Sequence, residues 1–486
     1  MKAALNQRRA GVLLHITSLP SRDLGQDAYF FVDFLKSTGV TVWQVLPLGL
    51  THEDGSPYQS LSSHAGNPAL INFKALVETG WLESHELCEV CGHSTFHHGC
   101  LLSKAFSGFQ ARASSIEKAD FEEFCFSNAY WLDDFSLFMV LRQKFGLASW
   151  NTWSDEYKNR HSESLNDVRF FMKAAIKNVK FEQYIFFKQW AALKNYANER
   201  GVLLFGDIPI FVSYDSADVW ANRDVFKLND AGEMSVVAGV PPDYFSETGQ
   251  RWGNPHYDWT YLHASDFEWW LERIQTQSKL FDIVRIDHFR GFESAWEIPA
   301  TESTAIKGSW VLAEGDSLLA AITTKFSDVL LVAEDLGIIT PEVNALRTKF
   351  NLPGMKILQF AFSGEFNNPY LPINHEKNSV VYTGTHDNDT TFGWVQNLTV
   401  EQQTFVQTVL NVTENDNITE AMMRCALNSV ANLAILPMQD ILELDSLSRM
   451  NTPGTTTGNW KWYFEWNQVS SKLATRLAKW IKEANR

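Results

Sequence analysis

Arg285, Ile286, Asp287 and His288 close the apolar run FDIVRIDHF, and their types and spacing can do chemistry. In an extended strand, residues two apart share a face, so Arg285 and Asp287 project together. A guanidinium beside a carboxylate favours its ionised form. An ionised, oriented Asp at the C-terminal end of a strand is what a covalent glycosidase-type nucleophile requires. The bland alternative is a structural ion pair, which also perturbs pKa values. Three other apolar runs end in the same way. VLLVAEDLG closes on Glu334 and Asp335, SVVYTGTHDND on His386 and Asp387, and GVLLFGDIPIF on Asp207. Acids delivered at several strand ends mark the catalytic face of a (β/α)8 barrel.

Positioning them requires eight strands, and eight runs supply them in order: near 12–16, 42–47, 202–210, 281–287, 329–335, 355–360, 379–387 and 432–440. Helix-length segments between the later runs, such as PEVNALRTKF after Thr340, favour a parallel α/β sheet. No G-x-G-x-x-G or Walker loop follows any strand, which argues against a nucleotide-binding open sheet. The expected fold is one catalytic (β/α)8 barrel over 1–486 with large insertions around its mouth. The gap between strands 2 and 3 is too long for a simple connection. Its helix-spaced apolar positions predict a largely helical insertion over 67–198. Between strands 3 and 4, GVPPDYFSETGQRWGNPHYDW lacks a helical period and reads as an ordered active-site loop within an insertion over 211–265. The chain closes on an amphipathic helix carrying Leu473, Leu477, Trp480 and Ile481 on one face, with no C-terminal β-domain expected.

With 41 Lys plus Arg against 57 Asp plus Glu, the net charge is −16, which argues against nucleic acid or an anionic membrane as partner. No apolar stretch approaches the ~20 residues needed to span a bilayer. The apolar run VLLHI is too short for a signal peptide and lacks a cleavage site, so a cytoplasmic location is expected. Five cysteines give no disulfide framework. Cys88, Cys91, His97 or His98, and Cys100 lie at near-zinc spacing, but the favoured reading is a surface loop of an insertion that happens to be rich in His and Cys.

The motifs WQVLPLG, SPYQSLSSHAGNP, WLDDFSLF, GDIPIFVSYDSADVW, GVPPDYFSETGQRWGNPHYDW, RIDHFRG, AEDLG, GTHDNDT and MNTPGTTTGNW occur in that order over most of the chain. Together they resemble the amylomaltases, the 4-α-glucanotransferases or disproportionating enzymes of the α-amylase superfamily. The segment 82–115 departs from that pattern. The resemblance implies a (β/α)8 barrel in which Asp287 is the nucleophile, Glu334 the general acid/base and Asp387 a third carboxylate that distorts the sugar. It further implies that Asp207, His288 and His386 contact the sugar at the scissile bond, and that Tyr58, Gln250 and Trp252 bind glucan. Arg285 would hold Asp287 ionised, while the apolar run before Glu334 would keep that acid protonated. The implied substrates are an α-1,4-glucan donor and a glucose or maltooligosaccharide acceptor, with no metal or cofactor required. An α-glucan hydrolase would use the same carboxylates. A non-catalytic glycogen-binding protein would have lost one of them, and a metal-dependent barrel hydrolase would respond to chelators.

Overall fold

A computed structural model of the chain describes residues 5–88, 95–242 and 246–486. Eight parallel strands form the central sheet: β1 Arg9–Leu13, β2 Val42–Gln44, β3 Leu203–Pro209, β4 Ile283–Asp287, β5 Leu330–Ala333, β6 Gly354–Ile357, β7 Ser379–Tyr382 and β8 Leu433–Pro437. Their order is β6-β7-β8-β1-β2-β3-β4-β5, a nearly closed (β/α)8 barrel as the sequence predicts. Seven junctions are ladders. The eighth, between β5 and β6, holds by a hydrogen bond from the Ala333 N–H to the Pro353 carbonyl at 2.9 Å. Beside it the Asp335 carboxylate accepts the Met355 N–H at 2.6 Å. A Cβ on Gly354 would fall 2.2 Å from that carboxylate, so this position requires glycine.

Alternation along each strand sorts its side chains. On β4, Ile283 packs into the barrel interior with Phe205, Val332, Met355, Val380 and Leu433. Val284 and Ile286 join the larger core outside the barrel wall. Arg285 and Asp287 follow Ile283 on the inward face, so the apolar interior layer is the floor on which the polar residues stand.

The structure shifts one element from its expected place. Strand β1 runs from Arg9, not Val12, because Arg9 to Leu13 pair in register with Leu433 to Pro437. Backbone pairing, not side-chain polarity, decides membership there. The segment 239–255, expected to be loop, contributes two strands to a second, antiparallel sheet. Its order is Gln250–Pro255, Val236–Val240, Ser294–Pro299, Ser309–Leu312. The pairing partners of Val236–Val240 include a segment more than fifty residues downstream, which a local pattern cannot reveal.

Between β2 and β3 the chain forms helices, the longest being Lys173–Glu199. The closing helix Ser471–Glu483 buries Leu477, Trp480 and Ile481. After Pro437 the described residues form only helical elements and connections. Among the described residues no helix is long and apolar enough to cross a membrane.

Candidate active site

The site stands on β3, β4 and β5, whose register aligns Asp207 with Arg285 and Ile286 with Ala333. Arg285 is the hub. Its Nη2 lies 2.7 Å from Asp287 Oδ1, and its Nη1 donates to both Asp207 oxygens at 2.8 and 2.7 Å. The Tyr58 hydroxyl donates to Asp207 Oδ2 at 2.7 Å. Asp207 is thereby saturated and buried, whereas the Asp287 side chain keeps 29% of its surface open.

Immediately after Asp287 the chain enters the left-handed region, His288 having φ 54°. That conformation is uncommon for a residue with a Cβ and costs on the order of 1 kcal/mol. The turn aims the His288 N–H at Glu334, donating to Oε2 at 2.6 Å, while the Leu336 N–H donates to Oε1 at 2.8 Å. Glu334 is thus gripped by two backbone amides, one from its own strand end and one from its neighbour's.

Burial raises both carboxyls. Glu334 goes up to about 7, by burial first and then by the nearby charge of Asp287, against the pull of Arg285 and the two amides. Asp287 goes up to about 6, by burial first, with Arg285 opposing. The Arg285 guanidinium, shared with Asp207, opposes that rise at Asp287 and is outweighed by burial. The order survives, because Asp287 has the guanidinium in direct contact and Glu334 does not. A single proton on this pair therefore resides on Glu334.

Across the mouth, His386 Nε2 lies 3.3 Å from Asp387 Oδ1, and Asn451 Nδ2 donates to the same oxygen at 2.7 Å. The Asp387 side chain is about half exposed. The Tyr58 ring stacks on His386 at 5.1 Å, with Trp460 6.0 Å from His386. On the β4 side, the Trp252 ring meets His288 edge-on at 4.8 Å and its Nε1 donates to Gln250 Oε1 at 3.0 Å. All ten residues singled out in the sequence therefore fall into contacting groups around the barrel mouth.

Asn451 and Trp460 escaped notice although their motif, MNTPGTTTGNW, did not; nothing local distinguishes them from their polar and aromatic neighbours. His15, buried at the end of β1 and pushed down to about 3 by burial and by His386, was read only as part of a strand. Cys91 and the side chains of Cys88 and His97 lie outside the described residues, and Cys100 is an exposed free thiol. Among the described residues no group of three or more His, Cys, Asp or Glu is arranged to hold a metal ion.

A (β/α)8 barrel that gathers Asp287, Glu334 and Asp387 at its mouth, one of them bound by a guanidinium, has the architecture of a glycoside-processing enzyme. The family model described as 4-alpha-glucanotransferase, glycoside hydrolase family 77, matches residues 14–468. The chain belongs to this family and is a 4-α-glucanotransferase; the α-glucan hydrolase alternative is not favoured. It is 45% identical over 488 residues to a 4-alpha-glucanotransferase of Thermus thermophilus, covering 97% of each chain. It is 42% identical over 474 residues to the chloroplastic/amyloplastic 4-alpha-glucanotransferase of Solanum tuberosum, covering 94% of this chain and 82% of that one. The amylomaltase of Streptococcus agalactiae, solved with acarbose, superposes with a TM-score of 0.95 at 38% identity over 99% of this chain and all of that one.

Proposed function

We propose that the enzyme transfers α-1,4-glucan segments by retaining double displacement, with Asp287 as nucleophile and Glu334 as general acid/base. Glu334 gives its proton to the glycosidic oxygen while Asp287 attacks the anomeric carbon, whose bond to that oxygen breaks. A covalent glucanyl-enzyme forms and the shortened glucan leaves. Glu334, now a carboxylate, takes the proton of an acceptor 4-hydroxyl, whose oxygen displaces Asp287 with net retention. The observation that carries this reading is geometric: Asp287 and Glu334 stand on adjacent strand ends, Asp287 against the Arg285 guanidinium at 2.7 Å and Glu334 accepting the His288 N–H at 2.6 Å, and burial raises Glu334 further.

In this proposal Asp387 and His386 hold the hydroxyls of the reacting sugar, and Tyr58, Asp207 and Arg285 shape the pocket beneath it. His288, Trp252 and Gln250 receive the acceptor side. The helical segment 67–198 and the segment 211–265 act as insertions of the single barrel over 1–486, the second lining the mouth and limiting water. Donor and acceptor are maltooligosaccharides or larger α-glucans, or glucose as acceptor; the carboxylate chemistry needs no cofactor. Such substrates and the low cysteine content favour a cytoplasmic setting. Incubation with maltotriose tests the whole reading: glucose together with maltopentaose and longer products supports transfer. Glucose and maltose alone, with steadily rising reducing ends, would overturn it.

A further inference from the structure

Behind β3 lies a cation that the proposed chemistry does not use. Arg273, on the helix Glu268–Leu280, is 1% exposed and no carboxylate comes within ion-pair distance among the described residues. Its Nη2 donates to the Pro209 carbonyl at 2.5 Å and its Nη1 to the Ile210 carbonyl at 3.2 Å. The Tyr257 hydroxyl donates to the same Ile210 oxygen at 2.6 Å, and Trp270 lies 4.8 Å beneath the guanidinium. Its Nε has no partner. Burying a guanidinium with no carboxylate in contact, the Asp218 charge acting on it only from a distance, is expensive, and an apolar side chain of similar length would fill the same space at lower cost. The group therefore has some use other than filling space.

The carbonyls it binds locate that use. Pro209 is the last residue of β3 and pairs with Asp287, the last residue of β4. Beyond it no ladder holds the chain. A cavity of about 40 Å³, room for one to three waters, lies against this strand end, lined by Asp207, Ser62, Ser63, His64 and Arg273 itself. Packing is incomplete on that side, and the guanidinium fork bridges the gap.

We propose that Arg273 is a positioning residue for the transfer reaction: by clamping Pro209 and Ile210 it fixes the β3 end from which Asp207 holds Arg285, and through Arg285 the carboxylate of Asp287. The inference rests on Asp287 being the nucleophile. It predicts that Arg273→Met, which keeps the apolar volume, lowers kcat by about tenfold to hundredfold with maltotriose while changing KM less than threefold. The acid limb of the kcat/KM profile moves to higher pH, because a looser Arg285 opposes burial less at Asp287. Arg273→Lys, with one fewer carbonyl held, falls between. In a double-mutant cycle, Arg273→Met adds little to the loss already caused by Asp207→Asn, since both act on one chain of contacts.

Wild-type kcat and an unmoved acid limb in Arg273→Met would overturn the proposal, as would full additivity with Asp207→Asn. A loss of activity that tracks a fall in melting temperature, with no movement of the limb, would also sink it by showing a purely structural role. Should the Met variant fail to fold, Arg273→Lys decides on the same profile and cycle. Asp287→Asn run in parallel separates the two levels: an active Asp287→Asn defeats the nucleophile assignment, whereas an inactive one beside an unaffected Arg273→Met defeats this inference alone.

Discussion

The two sides of the barrel mouth are built differently. At β3 to β5 the charged groups are bonded and, apart from the partly open Asp287, buried: Asp207 takes three hydrogen bonds, Glu334 takes two backbone amides, and Arg285 spans two carboxylates. At β7 the third carboxylate, Asp387, is about half exposed and held by one amide side chain and a histidine. Groups that exchange a proton or form a bond need fixed geometry in a site that excludes water. A group that recognises a sugar hydroxyl must instead stay open to it, and it can rely on the substrate to complete its hydrogen bonds.

Substitutions can break that contrast. The largest effect is expected at Asp287→Asn, with turnover on maltotriose down by about 10⁴-fold or more and glucan binding by calorimetry nearly unchanged. Appreciable residual transfer would reassign the nucleophile. Glu334→Gln should cost about 10²- to 10⁴-fold on natural glucans, yet spare the first step for a donor with a good leaving group such as a fluoride. Equal losses on both donors would mean that Glu334 is not the acid. On the open side, Asp387→Asn should lower kcat/KM by about 10²-fold and shift the acid limb downward, since the Asp387 charge helps to raise Asp287. An unmoved limb would show that the two sides do not communicate. The smallest effect concerns the native enzyme. In the proposed mechanism Asp287 acts ionised and Glu334 protonated, so activity should fall as pH drops through about 6 and again as pH rises through about 7. These limits belong to the pair and not to either residue. A plateau extending to pH 9 would contradict the raised acid.

The same contrast explains what could be read without coordinates. Arg285 and Asp287 were legible because a spacing of two in an apolar run is enough to place them together, and Glu334 because it ends such a run. That Asp207 shares the guanidinium was not legible, since only the register of β3 against β4 aligns it with Arg285. Asn451 reaches Asp387 from sixty-four residues away. The antiparallel sheet at the mouth depends on pairing between distant segments that carry no alternating pattern strong enough to show alone. The barrel strands were visible because burial on both faces makes most of each one apolar, and the start of β1 was missed because Arg9 interrupts that signal.

The junction between β5 and β6 has a kinetic meaning beyond its geometry. Seven seams of the cylinder are zipped by backbone ladders; this one relies on one amide, one carboxylate and a glycine that leaves that carboxylate room. Local opening follows the least costly route, so this seam is expected to open before the other seven, with amide exchange at Met355 outpacing that of the β4 interior. Glu334 sits one residue from this joint. Glu334, the acid/base of the proposed reaction, is thus mounted beside the seam with the fewest backbone bonds, and its two amide contacts are what keep it in place there.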